Sequence, residues 1–407
     1  GYQFSNWSGT GSGSYSGTNN PASITFNAPI NETAYFAREK ISITFSANGI
    51  SSSYKPSGTM LVLTYGGSTY DVAYSQMPYT VTVFYGTIVN FSYQSPVYYN
   101  STLRYVWTST SGLATTQSGS INATENGDVT ATYTMQYELT MSVSPSGAGT
   151  TTPAVGSYWE NAGTQVSISA SANSGYEFAD WTGSGSGSYS GTSASATITM
   201  NSAISETANF NVMLVFTVSG MNSSAEGTVL TLQYGGKTYN YNYSQLPVEV
   251  YLPYGSTVSY GYSSPVMTPG SYAFVWYSTS GYVTKQSASF TVPGTPETEV
   301  GNYKVENVYI FKESGLPNGI NWNITIEGYT YTDTTPSEQT FITPLSSVSW
   351  KAYNISYQSY TFTPQPNSGT AYPGTTTINY TAYVPVNGTS LEIVATYSSF
   401  APLLWLL

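Results

Sequence analysis

The chain has 407 residues, which is too long for a single hydrophobic core, so several domains are expected. Only 7% of its residues are charged, against about 25% in an ordinary soluble domain, whereas 40 residues are tyrosines and 40% are hydrophobic. The net charge of −11, with no basic cluster, argues against a nucleic-acid partner, because phosphate binding requires grouped Lys and Arg.

The first predicted element is a phrase that returns later in the chain. "GYQFSNWSGTGSGSYSGT" begins at Gly1 and "GYEFADWTGSGSGSYSGT" at Gly175, and residues 1–36 align with 175–210 without a gap at an offset of 174. Strand-like sequence from Glu138 leads into the second phrase, and no counterpart leads into the first. Residues 1–36 are therefore expected to be half of a module, too short to fold unaided. Either a preceding segment outside this sequence or a neighbouring subunit would cover its apolar face.

A second repeat follows each copy of the first. "GTMLVLTYGGSTY" at Gly58 matches "GTVLTLQYGGKTY" at Gly227, and "VWTSTSG" at Val106 matches "VWYSTSG" at Val275, both at an offset of 169. A different module, with "ESGLPNGINWNITIEGYTYT", begins near Val305. The predicted division is a half-module 1–39, a type-2 module 40–137, a complete type-1 module 138–211, a second type-2 module 212–304, a type-3 module 305–385 and a tail 386–407.

The secondary structure is predicted to be strand almost everywhere. Segments such as "ATITM" and "VTATYTM" alternate polar and apolar residues with period two, and "YGGSTY" and "YGGKTY" are typical of tight hairpins. Short strands in modules of this size predict an all-β fold, a tandem array of small β-sandwich, Ig-like or related β-repeat domains. No Pro-rich or Ser/Gly linker separates the modules, so a stiff array is expected.

The tail has two features. "SLEIVATY" (Ser390–Tyr397) alternates like a strand, and "FAPLLWLL" (Phe400–Leu407) is apolar but shorter than the roughly 20 residues that span a bilayer. Three interpretations stay open: the start of a membrane anchor that continues beyond Leu407, a closing or partner-binding strand, or a disordered end. A strand donated to the half-module of a neighbouring copy would build an open filament, because a heterologous contact that does not close propagates.

The sequence contains few residues of the types that carry out catalysis or bind metals. Without Cys or His, the sequence excludes disulfides, histidine-dependent serine triads, cysteine nucleophiles and histidine metal sites. The four aspartates lack the Asp-Thr/Ser-Gly context of acid-protease dyads, and isolated carboxylates on strands and turns are usually solvated. We therefore expect no enzyme and no catalytic, cofactor-binding or metal-binding residues. The carboxylates considered for paired chemistry are Glu160, Glu177, Glu313 and Glu327, beside Asp71, Asp128, Asp180 and Asp333.

Three motifs have both an ordinary and a functional interpretation. "ENGDVT" (Glu125–Thr130) is a plain turn or a calcium loop, and it lacks the Asp/Asn ladder of an EF-hand. "GSGSYSG" has no Lys and no following helix to bind phosphate, so an inter-strand loop is favoured. One Trp recurs per module, either as a core anchor or as a sugar-stacking platform: Trp7, Trp107, Trp181 and Trp276.

Asn-x-Ser/Thr sequons are numerous, and glycans on them would help to solubilise a surface that carries little charge. On an extracellular protein we expect N-linked glycans on many of the eleven: Asn6, Asn31, Asn90, Asn100, Asn122, Asn222, Asn242, Asn323, Asn354, Asn379 and Asn387.

Two segments resemble known families. The phrase that ends in "GYEFADWTGSGSG" and "ETANF", carried by Trp181, Gly183 and Phe210, resembles the divergent internalin B-type repeat of bacterial and archaeal surface proteins. "ESGLPNGINWNITIEG" (Glu313–Gly328) is similar to a unit of large secreted proteins of thermoacidophilic archaea that also accompanies thermopsin-type proteases. The resemblance implies an extracellular, archaeal β-repeat protein and no catalytic residues.

The sequence therefore favours a structural subunit of an archaeal cell-surface assembly: an S-layer, a stalk or an extracellular filament. Its expected partners are copies of itself and other surface-layer proteins. An adhesin or carbohydrate-binding array and, less favoured, an accessory region of an acid hydrolase remain as alternatives. The scarcity of charge suits an acidic habitat, because Tyr, Ser, Thr and Asn form hydrogen bonds without titrating in acid.

Overall fold

The computed structural model describes residues 1–358, 360–386 and 389–393, with side chains as far as residue 382. It confirms the all-β class: 34 strands and two single-turn 3-10 helices, Tyr74–Gln76 and Tyr243–Gln245, make up the regular structure of these residues. Two compact units are present. Unit 1 contains Gly1–Asn173 and Phe178–Phe210, and unit 2 contains Ser174–Glu177 and Asn211–Leu407.

Unit 1 holds the half-module, the first type-2 module and the complete type-1 module. Its strands are β1 Tyr2–Thr10, β2 Asn31–Arg38, β3 Lys40–Asn48, β4 Thr59–Tyr65, β5 Ser68–Ala73, β6 Tyr79–Phe84, β7 Ile88–Tyr93, β8 Val97–Asn100, β9 Leu103–Gly112, β10 Ser118–Asn122, β11 Gly127–Ser144, β12 Gly149–Thr152, β13 Gly156–Asn161, β14 Gln165–Ala172, β15 Tyr176–Ser184, β16 Ser195–Thr199 and β17 Ile204–Ser219. β15 begins in unit 2, and β17 continues into unit 2 after Phe210.

Unit 2 holds the second type-2 module and the type-3 module. Its further strands are β18 Leu230–Tyr234, β19 Lys237–Tyr241, β20 Val248–Pro253, β21 Thr257–Tyr262, β22 Val266–Met267, β23 Tyr272–Ser280, β24 Ser287–Thr291, β25 Glu297–Ser314, β26 Asn321–Ile326, β27 Tyr329–Thr334, β28 Glu338–Thr343, β29 Val348–Ala352, β30 Ile355–Tyr357, β31 Tyr360–Gln365, β32 Ser368–Ala371, β33 Gly374–Val386 and β34 Thr389–Ile393.

The two predicted hairpins are present at equivalent places. β4 and β5 pair across Gly66 and Gly67, and β18 and β19 pair across Gly235 and Gly236. All four glycines have positive φ, which a two-residue turn of this kind requires at both central positions and which only glycine adopts without cost.

Each complete module contains a separate small sheet. The two type-2 modules have the orders β10-β7-β4-β5 and β19-β18-β21-β24, the type-3 module has β27-β26-β29-β32, and the type-1 module has the three-stranded β12-β14-β16. Apolar side chains of these sheets, such as Leu61, Leu232 and Ile324, are fully buried. The period-two alternation places them on the inner face, as in a sandwich.

The second sheet of every complete module is built on one parallel pair, in which the opening strand lies beside the closing strand. The four pairs are Ile43–Asn48 with Gly127–Thr132, Leu139–Ser144 with Ile204–Asn209, Leu214–Ser219 with Glu297–Asn302, and Tyr309–Ser314 with Gly374–Asn379. Antiparallel strands then extend each sheet on either side, for example β6 and β9 in the first type-2 module.

One strand closes a module and opens the next. In β11, Val129 and Ala131 are buried in the first type-2 module, and Leu139 and Met141 are buried in the type-1 module. β25 does the same in unit 2 for the second type-2 and type-3 modules. The boundaries predicted at 137/138 and 304/305 fall inside these strands, so they have no linker to mark them; the division into modules stays a prediction.

Candidate interaction surface

The half-module and the complete type-1 module fold the shared turn alike. Trp7 N–H donates to the Gly17 carbonyl over 2.8 Å, and Trp181 N–H donates to the Gly191 carbonyl over 2.8 Å. The turn after the tryptophan is thus formed within each phrase, as the predicted inter-strand loop. Its local contacts do not depend on the rest of the module.

A glutamate on the closing strand holds the same turn in both copies. Glu32 Oε1 accepts a hydrogen bond from Tyr15 N–H at 2.8 Å, and Glu206 Oε1 accepts one from Tyr189 N–H at 2.7 Å. Gly183 packs against this turn and against the carboxyl. A Cβ on Gly183 would lie 2.3 Å from the Tyr189 carbonyl oxygen and 2.7 Å from Glu206 Oε1. Glycine is therefore required there by close packing.

The two copies differ in burial. Ile198 and Phe210 of the complete module are 0% and 1% exposed, whereas their counterparts Ile24 and Phe36 are 42% and 58% exposed. Phe26, which takes the place of a buried methionine, is 79% exposed. The half-module thus presents an apolar surface that the complete module buries.

The complete module covers this surface with two strands. β14 pairs antiparallel with β16, and residues 139–144 of β11 pair parallel with residues 204–209 of β17. The half-module lacks counterparts of β11 and β14 among residues 1–39, and its residues 21–25, equivalent to β16, do not form a strand. A ladder partner is what makes this segment a strand in the complete copy.

A cavity of ≈ 180 Å³ lies in the uncovered side of the half-module, lined by Trp7, Tyr15, Ala22, Ile24 and Glu32. Two polar atoms there have no hydrogen-bond partner, the Trp7 indole N–H and Glu32 Oε2. In the complete module the matching indole, Trp181 Nε1, donates to the Ala194 carbonyl at 3.3 Å.

Two carboxyls that are almost completely buried were not anticipated from the sequence. Glu206 and Glu299 are 0% and 1% exposed, and in each only one carboxyl oxygen has a hydrogen-bond partner, a loop N–H. Burial raises the pKa of Glu206, and it raises the pKa of Glu299 to about 7. Their strand positions gave a signal, because Glu206 is in phase with the buried Ile204, Ala208 and Phe210.

The carboxylates considered for paired chemistry occupy separate environments. Glu313 Oε2 accepts from Leu316 N–H at 3.3 Å, burial raises its pKa, and Glu327 accepts from Ser349 N–H. Asp180 accepts from Asn209 Nδ2. Glu177, Asp71, Asp128 and Asp333 occupy exposed or partly exposed strand positions, and Glu160 is half-buried. No group of three or more acidic side chains is arranged to hold a metal among the residues described.

The remaining motifs take structural positions. In "ENGDVT", Asn126 Oδ1 accepts from Ser42 N–H at 2.7 Å, which ties the turn to β3. Trp181 is fully buried, as a core anchor is. The half-buried Trp107 and Trp276 donate their indole N–H groups to Thr110 and Thr279 at 2.9 and 3.0 Å.

Nine of the eleven sequon asparagines are exposed. Asn6 is half-buried, and Asn387 lies outside the described residues. The exposed ones are Asn31, Asn90, Asn100, Asn122, Asn222, Asn242, Asn323, Asn354 and Asn379. Their glycosylation stays a prediction.

Most of the predicted donor segment Ser390–Tyr397 also lies outside the description. Its first residues belong to β34, whose backbone pairs with residues 382–386 of β33. In the part of the chain that the structure describes, no helix is long and apolar enough to cross a membrane.

Comparison with known families supports the type-1 resemblance. The model of the divergent InlB B-repeat domain matches residues 1–40 and 137–213, the half-module and the complete type-1 module. No curated protein matches the sequence. The similarity of the type-3 module to secreted archaeal proteins stays a prediction.

Comparison with solved structures gives matches of low identity and low TM-score. The Bacillus anthracis TIE protein is 8% identical over 86% of this chain and 70% of that one, with a TM-score of 0.23. The Lactobacillus rhamnosus GG pilus adhesin SpaC is 8% identical over 88% and 45%, with a TM-score of 0.20. A Streptococcal ancillary pilin is 7% identical over 84% and 99%, with a TM-score of 0.21.

Proposed function

We propose that the chain is a non-catalytic structural subunit of a cell-surface assembly and that it works through contacts between β-modules. The observation that carries this proposal is the tandem arrangement of the β-modules, in which β11 and β25 each close one module and open the next, together with the B-repeat match in two separate parts of the chain.

Two features support an extracellular location. The B-repeat match occurs in two separate parts of the chain, and the resemblance to internalin B-type repeats implies a surface protein. Exposed sequons are spread over both units, where N-linked glycans would be accessible. An S-layer, a stalk or an extracellular filament of an archaeon, in contact with copies of itself and other surface-layer proteins, is the finer form of the proposal.

The carboxyls suit an acidic habitat. Glu206, Glu299 and Glu313 all have raised pKa values because they are buried. A buried carboxyl is accommodated best when protonated, so acid removes the cost of burying its charge. Ion pairs, which acid breaks, are few: three occur among the residues whose side chains are described.

Electron microscopy of the purified chain at pH 3 and pH 7 tests the proposal directly. We expect sheets or filaments whose repeat is built from this chain. Monodisperse single molecules at every concentration and at both pH values would contradict self-assembly. Intact mass spectrometry of the native protein tests the glycans, and the bare mass of 43.7 kDa would refute them.

A carbohydrate-binding adhesin is the second candidate, and exposed tyrosines favour it. Tyr54 and Tyr99 are both exposed and pack edge-to-face with ring centroids 5.4 Å apart. Exposed aromatic faces stack on sugar rings. Binding of the chain to a glycan array, lost in a Tyr54→Ala, Tyr99→Ala double variant and kept in Tyr329→Ala, would support this function; an array without signal would remove it.

A further inference from the structure

A row of polar and aromatic side chains crosses the neighbouring strands β8, β9, β11 and β13 of unit 1. Tyr98 of β8 is the cross-strand partner of Arg104 of β9. Arg104 is also the partner of Gln136 of β11, which in turn lies opposite Asn161 of β13. Tyr137, the neighbour of Gln136 along β11, is buried, so the alternation of the strand turns the row toward solvent.

The guanidinium of Arg104 is held in one orientation within this row. Its Cζ lies over the Trp159 ring, 4.4 Å from the centroid, and its Nε donates to Gln136 Oε1 at 2.9 Å. Gln136 is fixed in turn, because its Nε2 donates to Asn161 Oδ1 at 3.0 Å. Stacking and hydrogen bonding therefore set the plane of the guanidinium and leave the edge with its two terminal nitrogens free.

The charge of Arg104 has no counter-ion within the protein. None of the ion pairs among the residues whose side chains are described includes it, and its terminal nitrogens have no hydrogen-bond partner there. Glu138, two residues along β11 from Gln136, faces the same way and forms no ion pair with it. Because Arg104 is half-buried, it has lost part of its hydration, and a bound anion would compensate for that loss.

The second type-2 module differs at the equivalent position. Ala273 takes the place of Arg104 at the offset of 169, and its cross-strand partner is Glu306. Glu306 Oε1 pairs with Lys304 Nζ at 2.9 Å, so the charges there are balanced within the protein. Of the two type-2 modules, only the first therefore presents an unpaired arginine at this place, and the shared fold does not require it.

The groups around the free edge fit a sugar that carries one carboxylate. A guanidinium presents parallel N–H donors that match the two oxygens of a carboxylate. Tyr98 is 44% exposed and packs edge-to-face on Trp159 with ring centroids 6.1 Å apart, so aromatic surface for a sugar ring lies beside the charge. The exposed Asn161 keeps its amide Nδ2 as a donor for sugar hydroxyls.

We propose that Arg104, Tyr98 and Trp159 bind a terminal uronic acid residue of a glycan, with its carboxylate on the guanidinium edge and its ring on Tyr98. One carboxylate suits the site, because a chain with a net charge of −11 repels a polyanion. The site is separate from the Tyr54–Tyr99 pair. It goes beyond the structural role, since it does not require the chain to assemble.

The chain has two arginines, Arg38 and Arg104, which gives the experiment a simple readout. Isotope-labelled arginine in the full chain yields one Nε–H resonance from each, and the Arg38→Gln chain assigns them. Arg38→Gln is also the matched control, because it removes the same charge and its exposed guanidinium likewise lies over an aromatic ring, that of Phe84. The probes are methyl β-glucuronide, methyl β-glucoside, acetate and N-acetyl-glutamate amide.

We expect methyl β-glucuronide to shift the Arg104 resonance saturably and to leave the Arg38 resonance in place. The glucoside lacks the carboxylate and should bind about 10- to 100-fold more weakly. Arg104→Gln should lose a similar factor for the glucuronide, followed by saturation transfer to the sugar, and Arg38→Gln should bind like the wild type. Tyr98→Ala should weaken the glucuronide and leave acetate unchanged, because acetate has no ring.

Three results with the wild-type chain would overturn the proposal. No shift with any probe would remove the site, and equal affinity for acetate and the glucuronide would reduce it to a general carboxylate contact. Tighter binding of N-acetyl-glutamate amide than of the glucuronide would assign it to acidic peptides. Circular dichroism verifies that the variants fold. None of these results bears on assembly, which electron microscopy tests separately.

Discussion

The two type-2 modules have similar cores, and among the buried positions at which they differ, one carries a carboxyl in the second module only. Tyr93 donates to the carbonyls of Ser46 and Val129, and Tyr262 donates in the same way to those of Thr217 and Glu299. Val129 and Glu299 are thus structural counterparts, 0% and 1% exposed. One module buries an apolar side chain where the other buries a carboxyl.

The difference shows how this fold accommodates a charge-bearing group. Glu299 Oε1 accepts from Val283 N–H at 2.9 Å, while Oε2 has no partner. Burial raises the pKa of this carboxyl to about 7, with a smaller contribution from Glu297, although the backbone N–H donors of Val283 and Tyr282 oppose the shift. The stability of the second module therefore depends on the protonation of Glu299. The first module has no such dependence at this position, because Val129 does not titrate.

The largest expected effect comes from placing a carboxyl in the first module. Val129→Glu should reduce the free energy of unfolding of that module by about 3 kcal/mol or more at pH 7, because a buried carboxylate pays for its lost hydration. Hydrogen exchange of residues 127–137 in the full chain measures it. The exposed Asp128→Glu is the control, and equal protection in both variants would contradict the expectation.

The pH dependence of the second module is the next effect. The folded state binds a proton that the unfolded state releases between pH 4.5 and about 7. The contribution of Glu299 to the free energy of unfolding is therefore greatest below pH 4.5, and it falls by roughly 2–3 kcal/mol as the pH rises through that interval. Exchange of residues 283–300 across this range measures the fall. Glu299→Gln should flatten the profile, and an unchanged slope in that variant would assign the dependence to other groups.

The shared tyrosines should give equal effects in the two modules. Tyr93→Phe and Tyr262→Phe each remove a hydroxyl that donates to two buried carbonyls. Each variant should lose about 1–2 kcal/mol, measured by local hydrogen exchange. A loss confined to one module would mean that the two cores are less alike than their bonds indicate.

The smallest effect concerns the indole contacts. Thr110→Val and Thr279→Val leave the Trp107 and Trp276 N–H groups without their acceptors, at nearly constant volume. About 0.5–1.5 kcal/mol should be lost in each module. Thermal unfolding of the full chain and the fluorescence of these tryptophans report it, and unshifted emission would indicate that water replaces the threonine.

Much of the fold could be predicted from the sequence because strands alternate polar and apolar residues with period two. The all-β class, the hairpins at Gly66 and Gly235, and the match between residues 1–36 and 175–210 all followed from alternation and repetition. The strands shared by neighbouring modules were not visible. β11 keeps its odd-numbered apolar residues facing inward through both cores, so no break in pattern marks the boundary.

The candidate site was only partly readable. Alignment of the repeats identified the half-module, but the exposure of Ile24 and Phe36 depends on strands that lie far from them along the chain. Glu206 and Glu299 were overlooked because carboxylates on strands are usually solvated. The phase of the alternation, with Glu299 in register with the buried Gly301 and Tyr303, was the available signal.

The parallel pairs of opening and closing strands determine how a module responds to tension. Tension on the two ends of a module pulls its first and last strands in opposite directions along their length. The six residue pairs between Leu139–Ser144 and Ile204–Asn209 would then be sheared together rather than unzipped one at a time. Rupture requires their hydrogen bonds to break almost at once, so a tether made of such modules resists stretching at the point where force enters each one.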